Sequence, residues 1–175
     1  MTDFAFPFFF NYPPYFTLQP VKETRQRQID LWSDLILRYC RHNKEYTLSS
    51  DPADDSPLFY NKRIERRLNR EARIIFLSEL CQRGNAQWLD KSQQQCLILW
   101  KKLGEWADVL YSFIRQFGLQ DSVMTLDELS SGDDVKGTEL EGVPNALLLE
   151  VIRLLEAQGK AQMFSGDGDV GVKFS

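Results

Sequence analysis

The stretches LCQRGNAQWLDKSQQQCLIL (80–99) and LEAQGKAQMFSGDGDVGVKF (155–174) share a pattern at a spacing of 75 residues. A second pair, LWSDLILRYCR (31–41) and EWADVLYSFIR (105–115), repeats at a spacing of 74. The identical pairs include Gly84/Gly159, Ala86/Ala161, Gln87/Gln162, Trp32/Trp106, Asp34/Asp108 and Arg41/Arg115. A nearly constant offset in two separate blocks predicts a duplicated module of about 75 residues.

Each copy begins with a stretch whose apolar residues recur at the 3.6-residue period of a helix. Thr24 is the expected N-cap of the first of these helices, and Gly118 is expected to end the second. The predicted apolar faces comprise Ile29, Trp32, Ile36 and Tyr39 in the first copy, and Leu103, Trp106, Leu110, Phe113 and Phe117 in the second.

A short strand, two further helices and a hairpin complete each copy. The predicted strands lie near 46–48 and 123–126, the short helices at 61–68 and 126–132, and the third helices at 70–82 and 144–158. Gly84 and Gly159 are expected to end the third helices in the left-handed conformation. This order is that of a winged helix. The sequence thus predicts an α+β chain with winged helices over 21–102 and 103–175, preceded by an extended proline and aromatic segment over 1–20.

The charge distribution argues against a nucleic-acid partner. The net charge is −4, and residues 101–175 carry 7 Lys or Arg against 13 Asp or Glu. The one basic cluster, 61–73, is interpreted as a solvated helical face rather than a phosphate-binding site. A winged-helix DNA-binding protein stays the least favoured of the alternatives.

The types of cysteine and histidine environments and the lack of catalytic motifs favour a chain that is not an enzyme. Cys40, Cys81 and Cys96 are interpreted as reduced core residues, and His42 as a surface residue. No phosphate-binding loop, nucleophile elbow or zinc motif is present. We therefore predict no catalytic residues, no metal and no cofactor. The start of the chain lacks the features of a signal peptide, and no apolar run is long enough to cross a membrane.

The segment FPFFFNYPPYFTLQP (6–20) is interpreted as a ligand for another protein. Eight of the chain's 22 aromatic residues lie in its first sixteen residues, interrupted by prolines that oppose a continuous helix. Proline-rich segments lose little entropy on docking, and aromatic rings supply the binding energy. The alternative is that the segment packs onto its own first domain, and both can hold together. Partner binding alone predicts that alanine at Pro14 and Phe16 leaves thermal stability nearly unchanged.

Several motifs resemble the vacuolar protein-sorting 25 family, the small subunit of the endosomal sorting complex ESCRT-II. They are YPPYFTLQP (12–20), TRQRQIDLWSDLIL (24–37), SPLF (56–59), GNAQWLDKSQQQCLILW (84–100), EWADVLY (105–111) and GVKF (171–174). The resemblance spans essentially the whole chain and agrees with the winged helices predicted from the repeat.

The resemblance implies a cytosolic, non-enzymatic protein that is recruited peripherally to endosomal membranes during multivesicular-body formation. Two copies join one copy each of the vacuolar protein-sorting 22 and 36 subunits, which bind the N-terminal proline and aromatic segment. The partner-binding residues implied here are Pro7, Phe8, Phe9, Tyr12, Pro13, Pro14, Tyr15 and Phe16. The runner-up is a ligand for WW domains through a PPxY-like motif, although its fourth position is Phe16 rather than tyrosine.

The resemblance also implies that the second winged helix recruits the vacuolar protein-sorting 20 subunit of ESCRT-III. Acidic residues there would favour a basic partner, and an apolar anchor must supply most of the affinity, because exposed ion pairs contribute little. The acidic residues are Asp133, Asp134, Glu139, Glu141, Asp167 and Asp169. The alternative is that these acids only keep the chain soluble, and this is the favoured interpretation for Asp133 and Asp134.

Overall fold

The computed structural model describes residues 3–166 and 170–175. It divides into two compact units, Met1–Trp100 and Lys101–Ser175. In the first unit the helices are α1 (Lys22–Asn43) and α2 (Arg70–Gln82), and the strands are β1 (Thr47–Ser49), β2 (Tyr60–Asn61), β3 (Arg66–Arg67), β4 (Ala86–Trp88) and β5 (Gln95–Ile98). In the second unit the helices are α3 (Leu103–Gln116), α4 (Leu126–Ser131) and α5 (Asn145–Ala157), and the strands are β6 (Val123–Thr125), β7 (Ala161–Ser165) and β8 (Val170–Phe174).

The long helix α1 buries the apolar face that its periodicity predicts. Its N-cap residue is Val21 rather than Thr24, and no side chain caps this end by a hydrogen bond. The prediction of Thr24 as N-cap is wrong, because the helix starts three residues earlier. Lys44 follows α1 in the left-handed conformation, with φ of 55°.

The predicted short helix over 61–68 is wrong. The chain forms the two-stranded hairpin β2–β3, in which Tyr60 pairs with Arg67. Only Ile64 and Leu68 are apolar at helical spacing in this stretch, which is too narrow a stripe to hold a helix on the core. Glu65 takes a φ of 53° in the turn between the strands.

Helix α2 and a three-stranded antiparallel sheet of order β1-β5-β4 complete the first unit. The Asn69 side chain caps α2 by accepting a hydrogen bond from the Ala72 amide (2.8 Å). Phe76, Leu77 and Leu80 are buried, whereas Ile74, which was expected to point inward, is only half-buried.

The second unit follows the predicted order of helix, strand, helix, helix and hairpin. Its sheet has the order β6-β8-β7, and Val172 and Phe174 of β8 are fully buried. A capping box between Thr125 and Glu128 starts α4. Pro144 was predicted as the first helical residue of α5, but it is the N-cap, and the helix begins one residue later at Asn145.

The glycine stops are confirmed, but one predicted core residue is not. Gly84 and Gly159 have φ of 79° and 74°, which only glycine adopts without strain. Phe117 does not join the inner face of α3, because the helix ends at Gln116 and leaves the Phe117 ring 43% exposed. Within the described residues, no helix is long and apolar enough to cross a bilayer.

Candidate docking surfaces

The N-terminal segment is folded rather than fully extended. It forms two 3-10 turns, Phe8–Asn11 and Pro13–Phe16. The Tyr12 amide donates to the Phe9 carbonyl (2.9 Å), and the Thr17 amide donates to the Pro14 carbonyl (3.1 Å). The structure differs here from the extended expectation, because short turns let the closely spaced aromatic rings reach one apolar site.

That site is the indole ring of Trp32, which is completely buried in α1. The rings of Phe9 and Phe16 contact it edge-on, at centroid distances of 5.4 and 5.3 Å. Phe76 of α2 stacks on the indole at 5.6 Å. The inner half of the segment is therefore part of the hydrophobic core of the first unit.

Three side chains fix the backbone of the segment. The Trp32 indole N–H donates to the Tyr15 carbonyl (2.9 Å), and the Gln28 amide nitrogen donates to the same carbonyl (2.9 Å) and to that of Thr17 (2.9 Å). The Asn61 amide nitrogen donates to the Phe10 carbonyl (2.7 Å). Sequence reasoning missed Gln28 and Asn61. The available signal was a glutamine one turn before Trp32 on the buried side of α1.

The structure divides the eight predicted partner-binding residues into three groups. Phe9 and Phe16 are buried, and Pro7, Pro13 and Tyr15 are half-buried. Phe8, Tyr12 and Pro14 are exposed. The Phe8 ring is 93% exposed and that of Tyr12 is 51% exposed, so a folded domain presents two large aromatic side chains to solvent. Partner binding stays a prediction for all eight residues, and we call Phe8, Tyr12 and Pro14 the outer face of the segment.

The second unit carries a groove beside α3, with a volume of about 570 Å³. Val109 and Phe113 of α3 line one side together with Phe117, which directly follows the helix, and residues 137–140 line the other. The Phe113 and Phe117 rings contact each other at 4.8 Å. A second hollow of about 400 Å³ shares Phe113 with the groove and includes Met124. These side chains are candidates for the apolar anchor that the sequence could not assign.

Acidic side chains border these hollows. Asp108 and Glu139 line the groove, and Glu128, Asp133 and Asp134 line the adjoining hollow. Glu139 pairs with Lys101 (2.9 Å) and Asp133 with Lys136 (3.2 Å). Glu141 instead accepts a hydrogen bond from the Gly137 amide (2.9 Å). Asp167 and Asp169 lie outside the described residues.

Burial shifts the pKa values of titratable side chains in the first unit. Burial raises the pKa of Tyr39 to about 12, and the charge of Glu45 adds to this shift. Burial also raises the pKa of the Cys40 thiol. All three cysteines are free, and Cys81 is only half-buried. The described residues contain no group of three His, Cys, Asp or Glu that could hold a metal ion.

Comparison with known proteins identifies the family to which the chain is similar. The family model described as ESCRT-II complex subunit matches residues 9–144. The chain is 49% identical over 177 residues to vacuolar protein sorting-associated protein 25 of Arabidopsis thaliana, covering 100% of this chain and 98% of the relative. It is 44% identical over 172 residues to the zebrafish (Danio rerio) protein of that name, covering 98% of this chain and 99% of the relative.

Solved structures agree with the fold. "Crystal structure of subunit VPS25 of the endosomal trafficking complex ESCRT-II" matches with a TM-score of 0.86 and 28% identity, covering 97% of this chain and 98% of that one. "The crystal structure of endosomal complex ESCRT-II (VPS22/VPS25/VPS36)" contains a chain that matches with a TM-score of 0.84 and 29% identity, covering 96% of this chain and 98% of that one. The chain therefore belongs to the ESCRT-II complex subunit family, as a tandem winged-helix member similar throughout its length to vacuolar protein sorting-associated protein 25.

Proposed function

We propose that this chain is a non-catalytic subunit of an ESCRT-II complex, in which it binds VPS22 and VPS36 through the outer face of its N-terminal segment. The related crystal structure contains VPS22, VPS25 and VPS36 together. We place the protein in the cytoplasm, recruited peripherally to endosomes for multivesicular-body sorting of ubiquitinated cargo, with two copies per complex. The chain would do so with three parts, the docking segment over 1–20 and winged helices over 21–102 and 103–175.

The exposure of Phe8 and Tyr12 on a segment that is already folded carries this proposal. Burying an aromatic ring of ~150–250 Å² contributes roughly 4–6 kcal/mol before the costs of association. The core contacts of Phe9 and Phe16 hold the backbone of the segment in place, so less conformational entropy is lost on docking. Phe16, the fourth position of the PPxY-like motif, is only 4% exposed, which disfavours the reading as a WW-domain ligand.

Replacing Phe8 and Tyr12 together by alanine is expected to weaken binding to a VPS22–VPS36 pair by roughly 10- to 100-fold, because two aromatic anchors are lost. Thermal stability of the isolated chain is expected to change little, since the Phe8 ring is exposed to solvent. Calorimetric titration with the purified pair measures the affinity, and a melting curve measures stability.

The matched control is alanine at Leu31 and Leu89, which are also exposed apolar residues of the first unit, at 37% and 41%. This control should bind the pair with wild-type affinity. Wild-type affinity of the Phe8 and Tyr12 variant would instead show that the outer face is not a docking surface.

The groove beside α3 supports the second part of the proposal, recruitment of the vacuolar protein-sorting 20 subunit of ESCRT-III. Its apolar side chains and acidic border complement a basic amphipathic helix. Most of the affinity would come from Phe117, which is 43% exposed, and from the half-buried Val109. The acids contribute less, because they are exposed and such ion pairs each contribute ~0–1 kcal/mol.

Phe117→Ala is expected to weaken binding of the N-terminal part of the ESCRT-III subunit by about tenfold or more, as loss of an aromatic anchor does. Phe164→Ala is the control, because Phe164 lies in the same unit and is 42% exposed against 43% for Phe117. Fluorescence anisotropy with a labelled peptide from the N-terminal part of the ESCRT-III subunit measures the affinity of each variant. Equal effects of the two substitutions would argue against the groove.

A further inference from the structure

The hairpin β2–β3 forms one side of a cleft in the first unit that the proposed docking role does not use. The cleft has a volume of about 400 Å³. Its aromatic and proline walls come from Phe6, Phe10, Pro57 and Tyr60, and Lys62 and Arg63 lie at the hairpin turn. We call it the cationic cleft.

The walls of the cationic cleft are held in place by contacts on both sides. Phe6 stacks on Phe10 with ring centroids 4.2 Å apart. The Asn61 side chain binds the Phe10 carbonyl and so ties the hairpin to the N-terminal segment (2.7 Å). The Arg67 guanidinium lies over the Tyr60 ring at 4.3 Å. The cleft is therefore preformed in this conformation of the chain.

The hairpin carries an excess of positive charge beside the cleft. Residues 61–67 contain four Lys or Arg and one Glu. Arg67 pairs with Asp55 (3.0 Å) and also donates to the Pro52 carbonyl (2.6 Å). Among the described residues, neither Lys62 nor Arg63 takes part in an ion pair, and both are exposed. Apolar walls next to two available cations fit a carboxylate that is attached to an apolar group.

We propose that the cationic cleft binds an acidic segment of the VPS22–VPS36 pair, which places an apolar side chain between the aromatic walls and its carboxylates against Lys62 and Arg63. The inference rests on the proposed docking role, because the N-terminal segment contributes to both surfaces: Phe10 lies between Phe8 and Tyr12 in the chain and forms a wall of the cleft. The segment would thus bind its partner on one side and line a second contact on the other.

The shape of the cleft favours a peptide over a lipid surface. Membrane-binding surfaces typically carry several Lys or Arg side chains spread over an open surface. Here two cationic side chains flank a concave site with aromatic walls. A peptide can supply both the apolar side chain and the carboxylate.

The test compares three full-length variants for binding to the VPS22–VPS36 pair at low and high salt. Lys62→Glu with Arg63→Glu is expected to lose about tenfold in affinity at low salt, with a smaller loss at high salt. Arg41→Glu with Lys91→Glu makes the same change of charge at exposed positions of the first unit outside the cleft, and it should bind nearly as the wild type does. Pro57→Trp, which fills the cleft without changing charge, should weaken binding at both salt concentrations.

The outcomes separate this inference from the docking role. If alanine at Phe8 and Tyr12 weakens binding while the Lys62 and Arg63 variant binds as the wild type does, the cationic cleft is overturned and the docking role stands. An equal loss for the Arg41 and Lys91 control would show a general charge effect and also overturn the inference. So would a Lys62 and Arg63 variant that loses binding to phosphatidylserine vesicles but assembles normally.

Discussion

Trp32→Ala is expected to lower the free energy of unfolding of the first unit by about 4 kcal/mol, the range for removing a fully buried aromatic side chain. The indole contacts the rings of Phe9, Phe16 and Phe76, and its N–H binds the Tyr15 carbonyl. Its loss removes the surface on which the N-terminal segment packs. Since domains are stable by only about 5–15 kcal/mol, much of the first unit should unfold on mild heating.

Urea unfolding followed by far-ultraviolet circular dichroism measures this effect. Trp32→Phe should retain part of the stability, because it keeps an aromatic ring but loses the hydrogen bond to Tyr15. Trp106→Ala is the matched change in the second unit, where Trp106 is also buried, and it should destabilise that unit instead. An unfolding midpoint of Trp32→Ala equal to that of the wild type would contradict the packing described for the segment.

Arg73→Met is expected to destabilise the first unit by about 3 kcal/mol, because it removes a buried donor from the buried Leu68 carbonyl and the partly buried Asp51 carbonyl. The Arg73 side chain is fully buried in α2, and its guanidinium donates to the carbonyls of Asp51 (2.8 Å) and Leu68 (3.2 Å). It also lies over the Phe59 ring at 4.8 Å. Burial lowers the pKa of the guanidinium, while the charge of Asp54 raises it.

Arg70→Met is the control on the same helix. Arg70 is exposed and donates to the Ser92 carbonyl (2.9 Å), so its loss should cost less than about 1 kcal/mol. Chemical unfolding of both variants gives the comparison. Similar costs at the two positions would show that Arg73 does not hold the loop that follows β1, whose Asp51 carbonyl it binds.

The sequence predicted those elements that depend on local patterns. The repeat and the apolar period predicted α1, α2, α3 and α5, and alternation predicted the hairpins that follow the glycines. It failed at 61–68, where the hairpin makes a buried contact far along the chain, the hydrogen bond from the Asn61 side chain to the Phe10 carbonyl. Charge alone also suggested a solvated face over 61–73. Arg73 is instead buried, and its guanidinium binds the Asp51 carbonyl, which lies about twenty residues earlier in the chain.

The candidate site shows the same limit. Composition indicated that the first sixteen residues are a ligand for another protein, but it could not distinguish the rings that point into the core from those that face solvent. That division depends on two turns and on the place of Trp32, so Phe16 became core while Phe8 stayed exposed. The expectation that alanine at Pro14 and Phe16 spares stability is therefore replaced: the loss of the Phe16 ring should destabilise the first unit by about 3–5 kcal/mol.

Hydrogen exchange in the isolated chain tests most directly whether the segment is folded before any partner binds. The amides of Phe10, Tyr12 and Thr17 donate hydrogen bonds within the two turns, at 3.1, 2.9 and 3.1 Å. We expect these amides to exchange far more slowly than in an unfolded peptide, and to lose this protection in Trp32→Ala. Exchange at the rate of an unfolded peptide, while α1 stays protected, would contradict a docking surface that is preformed on the first unit.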